Sequence, residues 1–246
     1  MTAAADQIAI GDIDGNSQGD LIGVWESGTW IKSSAIGQWS LLTRYSPASS
    51  LAAGDLHGNS RDDILGSWSS GVWSWSSFVE DWNLVTSYPA QLLTTSRYNH
   101  GTGDALAGVW DSGLWLWEGD EWNLLTEIRP SAIALGDLTG DGRAEVIGSW
   151  SSGVWYWNSS DEQWTRITHH PSSLLTAGDL TGNGRDEVAG VWDSGIWFYR
   201  LPEVLWEHVT EAVPTAVTSG RISSDLADQG QAYEALFISD EIISAP

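Results

Sequence analysis

Asp12, Asp14, Asn16, Gln18 and Asp20 stand at alternate positions of the stretch GDIDGNSQGD. Alternate residues of so tight a loop point inward, and these carry oxygen. Ca2+ takes about six to eight hard oxygen ligands, mixing carboxylates, amide oxygens and main-chain carbonyls. Mg2+ demands stricter octahedral geometry and keeps its waters, so calcium is the ion expected. The side chains of Asp12, Asp14, Asn16 and Asp20 would be joined by the main-chain carbonyl of Gln18. Three more stretches repeat the spacing: Asp55, His57, Asn59, Arg61 and Asp63; Asp137, Thr139, Asp141, Arg143 and Glu145; Asp179, Thr181, Asn183, Arg185 and Glu187. There the carbonyls of Arg61, Arg143 and Arg185 would complete each set. A fifth stretch has Arg97, Asn99, Gly101 and Ala105 in these places, and no metal is expected there. Asp and Asn also make side-chain-to-backbone turns without any ion. Four copies in register favour the metal reading.

A second set of side chains suits ligand recognition. Trp30, Trp73, Trp115, Trp155 and Trp197 each follow a tight turn bearing Glu26, Ser69, Asp111, Ser151 or Asp193. An aromatic plane beside a carboxylate or hydroxyl fits a sugar, which offers an apolar face and hydroxyl groups. The same aromatics recur in every copy, which is also how packing residues behave.

The elements that position both sets repeat. Trp25, Trp68, Trp110, Trp150 and Trp192 recur every 40–43 residues, a period that marks a repeat architecture. Each unit reads as four short strands, rich in β-branched and aromatic residues and bounded by Gly, Ser, Asn, Asp and Pro. In the fifth unit these are Leu174–Leu180, Glu187–Trp192, Ile196–Arg200 and Leu205–Thr210, with Asp193-Ser194-Gly195 as a tight turn. Four strands per unit predict the blades of an all-β propeller. The units run 7–50, 51–91, 92–132, 133–173 and 174–214 within one domain, 1–246. Residues 215–246 read as a degenerate sixth, so six blades are expected rather than five. A glycine precedes each of these tryptophans by two positions, at 23, 66, 108, 148 and 190, and is expected to admit an indole from the next blade.

The 246 residues carry 33 acids against 10 basic groups, a formal charge of −23. Such a field repels nucleic acid and anionic lipid and attracts cations. No apolar run reaches the length of a membrane span. Met1–Gln7 lacks the basic and apolar regions of a leader. The chain has no cysteine, which excludes disulfides, thiolate metal sites and thiol nucleophiles.

GDIDGNSQGDLIG, GDLTGDGRAEVIG and GDLTGNGRDEVAG resemble the FG-GAP or VCBS-type repeats of integrin-α-like β-propellers. The GVWDSGxW half resembles a Trp-rich bacterial variety of them. The resemblance covers 7–210. It implies Ca2+ in the acidic loops, a secreted or cell-surface location, and a role in adhesion, glycan binding or scaffolding. His57, Thr139 and Thr181 replace a usual acid of that motif. No GxSxG, HExxH or phosphate-binding loop occurs, and no single unrepeated constellation stands apart from the repeats. The expected function is therefore a non-enzymatic binding module for a glycan or cell-surface protein. The alternative is a scaffold that self-associates and binds no small ligand.

Overall fold

The computed structural model describes residues 5–96, 103–118, 121–221 and 234–238. It forms five four-stranded antiparallel blades of about 42 residues. Blade one is β1 (Gln7–Gly11), β2 (Asp20–Trp25), β3 (Gly28–Lys32) and β4 (Trp39–Thr43). Blade two is β5 (Leu51–Gly54), β6 (Asp63–Trp68), β7 (Gly71–Ser76) and β8 (Asp81–Thr86). Blade three is β9 (Leu92–Ser96), β10 (Ala105–Trp110), β11 (Gly113–Glu118) and β12 (Glu121–Thr126). Blade four is β13 (Ala132–Gly136), β14 (Glu145–Trp150), β15 (Gly153–Asn158) and β16 (Gln163–Thr168). Blade five is β17 (Leu174–Gly178), β18 (Glu187–Trp192), β19 (Gly195–Arg200) and β20 (Leu205–Thr210). Among the described residues no helix is long and apolar enough to cross a membrane.

A two-stranded sheet, β21 (Val217–Arg221) and β22 (Glu234–Ile238), takes the sixth place. β21 packs against β17 on one side and β1 on the other. The innermost strands β1, β5, β9, β13, β17 and β21 thus form a closed ring. They surround an axial cavity of about 140 Å³ lined by Ile8, Leu51, Thr94, Ile133, Leu175 and Thr218 among others. The ring closes with five complete blades and this short two-stranded sheet, where a degenerate sixth blade was expected.

Each blade has an aliphatic face and a tryptophan face, because alternate strand residues point to opposite sides. In blade two Leu65 and Val72 face one way; they pack with Leu93, Leu106 and Trp110 of blade three, against which Trp115, Trp117 and Trp122 also rest. The same contact recurs between blades three and four, four and five, and one and two. The apolar face of one sheet is buried by the aromatic face of the next, which is why no blade is stable alone.

The strand glycines serve this packing, but not as the sequence led us to expect. A Cβ added at Gly23, Gly66, Gly108, Gly148 or Gly190 would run into the indole of Trp25, Trp68, Trp110, Trp150 or Trp192. The ring over each glycine therefore belongs to the same strand, two residues on, and not to the next blade. Lying back over the glycine brings that indole edge-on to the outer-strand tryptophan. Trp110 and Trp122 sit 5.1 Å apart at 88°, and the other four blades repeat the pair at 5.0–5.6 Å. Edge-to-face geometry is the favoured one for aromatic quadrupoles.

Trp110 is 9% exposed. Trp110→Ala is expected to cost roughly 3–5 kcal/mol in urea unfolding, the range for emptying a buried aromatic site. Gly108→Ala should also destabilise, since its methyl displaces the ring. The double variant should lose clearly less than the sum of the two. Strict additivity would mean that the glycine does not seat the indole.

Candidate functional site

Two ends of the propeller carry the candidate residues. The first-to-second strand loops, with the acidic spacing, lie at one end. The second-to-third strand turns, with the tryptophan clefts, lie at the other.

In the first loop the carboxylate oxygens of Asp12, Asp14 and Asp20 all come within 4.8 Å of one another. Asp12 organises the loop. Its Oδ1 accepts the amides of Gly15 and Asn16 at 2.8 and 2.9 Å, and its Oδ2 accepts Ser17 at 2.7 Å. Asn16 Oδ1 accepts the Gln18 amide at 2.8 Å. Asp20, 1% exposed, accepts from Ser34 and from the Ile13 amide. Burial pushes its carboxyl above the usual carboxylate range, the Ser34 donors oppose this, and the charge of Asp14 adds to it. An oxygen-only donor set with a buried acid and two neighbouring acids fits a hard divalent cation. Asp12, Asp14 and Asp20 would hold it.

The other loops are built differently. Among the described residues, only the first gathers three acids this closely. In blade two His57 Nδ1 lies 2.7 Å from Asp63 Oδ2. In blade four the Leu138 amide donates to Glu145 Oε2 at 2.8 Å, while Asp141 Oδ2 accepts Ser160. Glu145 is fully buried, and its carboxyl is pushed up to about 7 by burial first, then by Asp141 and Asp137. In blade five Thr181 Oγ1 and Asn183 Nδ2 donate to Glu187 Oε1 at 2.9 and 3.2 Å. His57, Thr139 and Thr181 thus engage the strand-borne acid directly. Asp55, Asp137 and Asp179 repeat the amide-binding role of Asp12, and Asn59 Oδ1 accepts the Arg61 amide as Asp141 and Asn183 do those of Arg143 and Arg185. Of the loop in the third copy, Arg97, Asn99 and Gly101 lie outside the described residues.

A clamp between blades went unread in the sequence. The Asp12 amide donates to Asp62 Oδ2 at 2.7 Å, and the Asp62 amide donates back to the Asp12 carbonyl at 2.8 Å. Asp55 and Asp104 repeat this between blades two and three, and Asp137 and Asp186 between blades four and five. Asp12, Asp55 and Asp137 are thereby held by the blade that follows. The signal was present only across copies: the third copy has Arg97 in place of the loop acid, and the fourth has Ala144 in place of the clamp acid.

At the opposite end, the turn glycines Gly28, Gly71, Gly113, Gly153 and Gly195 have φ between 106° and 130°. A Cβ there would meet the carbonyl of the outer-strand threonine, so only glycine fits. A β-bulge immediately precedes each of Trp30, Trp73, Trp115, Trp155 and Trp197 in its pairing with the outer strand. The indole N–H of each then donates to the turn serine, Ser27, Ser70, Ser112, Ser152 or Ser194, at 2.9–3.2 Å. These serines were not singled out in the sequence, although they stand in all five copies three residues before the tryptophan.

Between blades two and three this end opens into a cavity of about 590 Å³, lined by Thr86, Tyr88, Pro89, Trp110, Asp111, Ser112, Trp115 and Trp122. That volume is in the range of small-ligand sites. Trp115 and Asp111 are two of the residues expected to bind ligand. Trp73, Trp155 and Trp197, with Ser69, Ser151 and Asp193, hold the equivalent places in blades two, four and five. Trp30 and Glu26 do so in blade one, beside the sixth sheet.

No family model matches this chain, and no curated protein matches it. Solved structures share its fold. A lectin of Agrocybe aegerita, described for its recognition of non-reducing terminal N-acetylglucosamine, is 16% identical with a TM-score of 0.59. The match covers 96% of this chain and 75% of the lectin. BBS1N, in complex with ARL6DN, is 10% identical with a TM-score of 0.58, over 97% of this chain and 75% of that one. The extracellular domain of a one-component system of B. thetaiotaomicron is 12% identical with a TM-score of 0.55, over 82% of this chain and 27% of its own length. At these identities the likeness is one of fold.

Asp62 yields a test of the clamp. Its carboxyl is raised to about 7, chiefly by burial, with Asp104, Asp12 and Asp55 adding repulsion and the Asp12 amide opposing. An acid whose folded pKa lies above its unfolded value releases its proton more readily on unfolding. Stability therefore falls as pH rises from the unfolded value of 3.8 to about 7. Asp62→Asn keeps an oxygen acceptor and removes the charge. With metal chelated, it should raise the melting temperature at pH 8 and leave it nearly unchanged at pH 3.5. A variant equally destabilised at both pH values would refute the charge account.

Proposed function

We propose that this protein is a non-enzymatic, lectin-like binding module that takes sugars in the tryptophan-rich clefts between blades. The observation that carries this reading is the cavity lined by Tyr88, Trp110, Trp115 and Trp122 beside Asp111 and Ser112. Apolar ring faces with a carboxylate and a hydroxyl at the rim match the two-sided chemistry of a sugar. The likeness to a propeller described for binding N-acetylglucosamine supports the same direction. The cleft elements repeat around the ring, so several weak contacts on one glycan surface would gain through effective concentration.

The acidic loops support the FG-GAP or VCBS-type reading, with Ca2+ as their ion. Asp12, Asp14 and Asp20 are the set best placed for it. Close like charges destabilise one another, and a divalent cation relieves that while bracing the loop between two strands. A calcium ion held there would lie at the end remote from the clefts and would stiffen the ring. A secreted or cell-surface setting, where millimolar calcium and glycans coexist, suits both features.

Parent protein should give signal on a glycan array, and Trp115→Ala should abolish most of it at a temperature where circular dichroism shows the variant folded. An array blank for the parent, with discrete self-assembly in solution, would favour a scaffold instead. For the metal, calcium at 100 times its dissociation constant should add about 2.7 kcal/mol of stability, and chelator should remove it. Asp12→Ala with Asp20→Ala should abolish the tightest calcium binding in calorimetry. Melting indifferent to both calcium and chelator would leave these loops as ordinary Asp turns.

A further inference from the structure

The five turn-end tryptophans share a setting but differ in their neighbours. In blade four Arg166 lies over the Trp155 ring, 5.1 Å from its centroid. In blade five the His208 ring lies 4.7 Å from that of Trp197. Both indoles are already engaged by a cationic or titratable neighbour. Across from Trp115 stands Leu124, an apolar side chain that takes no part in polar binding. Blade two has Leu84 opposite Trp73, but Ser69 where blade three has Asp111. Blade one has Leu41 opposite Trp30 and Glu26 at its turn, so what sets blade three apart is the cavity itself and the hold on Asp111.

Asp111 itself is held unevenly. Gln91 Nε2 and Arg129 Nη1 both donate to its Oδ1, each at 2.8 Å. No donor among the described residues meets Oδ2. Two donors on one oxygen fix the carboxylate plane and leave the other oxygen as an acceptor at the rim of the cavity. Hydrogen bonds to a charged acceptor are the stronger kind. The carboxylate, within a chain of net charge −23, also repels an anionic ligand.

Resting on the lectin-like reading, we propose that the cleft between blades two and three is the principal site. It takes a neutral, hydroxyl-bearing pyranose ring, stacked on Trp115 and hydrogen-bonded to Asp111 Oδ2. Asp111 is the specificity-determining residue, and Arg129 and Gln91 position it. The cleft rejects the corresponding sugar acid.

The test is calorimetric titration with a panel of neutral methyl hexopyranosides and the matching methyl uronates. The parent should bind a neutral member at one site per chain and discriminate against its uronate. Asp111→Asn should weaken the neutral ligand by about tenfold or more, as expected for loss of a charge-assisted hydrogen bond, and narrow the discrimination. Arg129→Ala should weaken it by a smaller factor, with Arg129→Lys restoring part of the loss. Asp111→Asn should melt as the parent does, because Asp111 is 92% exposed; Trp115→Ala is titrated at a temperature where it is shown to be folded. If Trp115→Ala abolishes binding while Asp111→Asn binds and discriminates like the parent, the lectin-like reading stands and this inference falls. Equal sites on all blades would also overturn it. A parent that binds no member of the panel overturns both.

Discussion

The seating of one indole over one glycine underlies the rest of this molecule. A tryptophan two residues beyond a glycine can fold back onto its own strand, because no Cβ stands in the way. Flattened there, it closes edge-on against the outer-strand tryptophan and turns half of each sheet into a smooth aromatic surface. That surface is what the aliphatic face of the preceding blade packs on, from Leu65 and Val72 against Trp110 to Ile147 and Val154 against Trp192. Dispersion and apolar burial over these large rings hold the blades in a ring, where a single sheet would leave one face wet. The packing runs in one direction around the axis, so each blade depends on its successor. The sixth place must be filled for blades one and five to bury theirs. Ala216, just ahead of β21, packs with Ala5, Ile8 and Trp25 there.

The polar clamp has the same directionality. Each reciprocal pair joins a loop acid of one blade to the residue before the second strand of the next. The glycine ahead of the loop acid permits it: a Cβ on Gly11, Gly54 or Gly136 would meet the neighbouring Asp62, Asp104 or Asp186. Arg61 and Arg185 extend the link, their side chains running against Gly15 and Gly140 of the preceding loop. A cation in the first loop would therefore stiffen a junction between blades as well as a turn.

The proposed binding function rests on where the packing stops. At the turn end the aromatic face of one blade extends past the edge of its neighbour, and the exposed remainder becomes a cleft. The rings there are already held, the third-strand indoles by turn serines and Trp110 by a bond to the Tyr88 carbonyl at 2.8 Å. A ligand bound there would meet surfaces that need little ordering, which lowers the entropic cost of binding.

Much of this was legible in the sequence, because repetition converts weak local signals into strong ones. The strands, their tight turns, the acidic loops and the aromatic positions all follow from residue type and spacing within one unit. The amino-acid order alone determined that Asp12, Asp14 and Asp20 share a loop and that Trp115 lies beside Asp111. What it left undetermined are relations between chain segments with no fixed separation in sequence. The direction in which an indole turns depends on the rotamer that packing selects, so the partner of Gly108 was read as a neighbouring blade when it is Trp110. The Asp62 clamp spans 50 residues and joins two copies, so it leaves no mark within either. Whether His57 or Thr181 turns toward a cation or toward the strand-borne acid depends on distances of a few ångströms. The differences among the five turn-end tryptophans likewise came from tertiary contacts, with Arg166 and His208 drawn onto theirs and Arg129 and Gln91 onto Asp111. Spacing along a chain fixes which groups can meet, and only the closing of the ring decides which of them do.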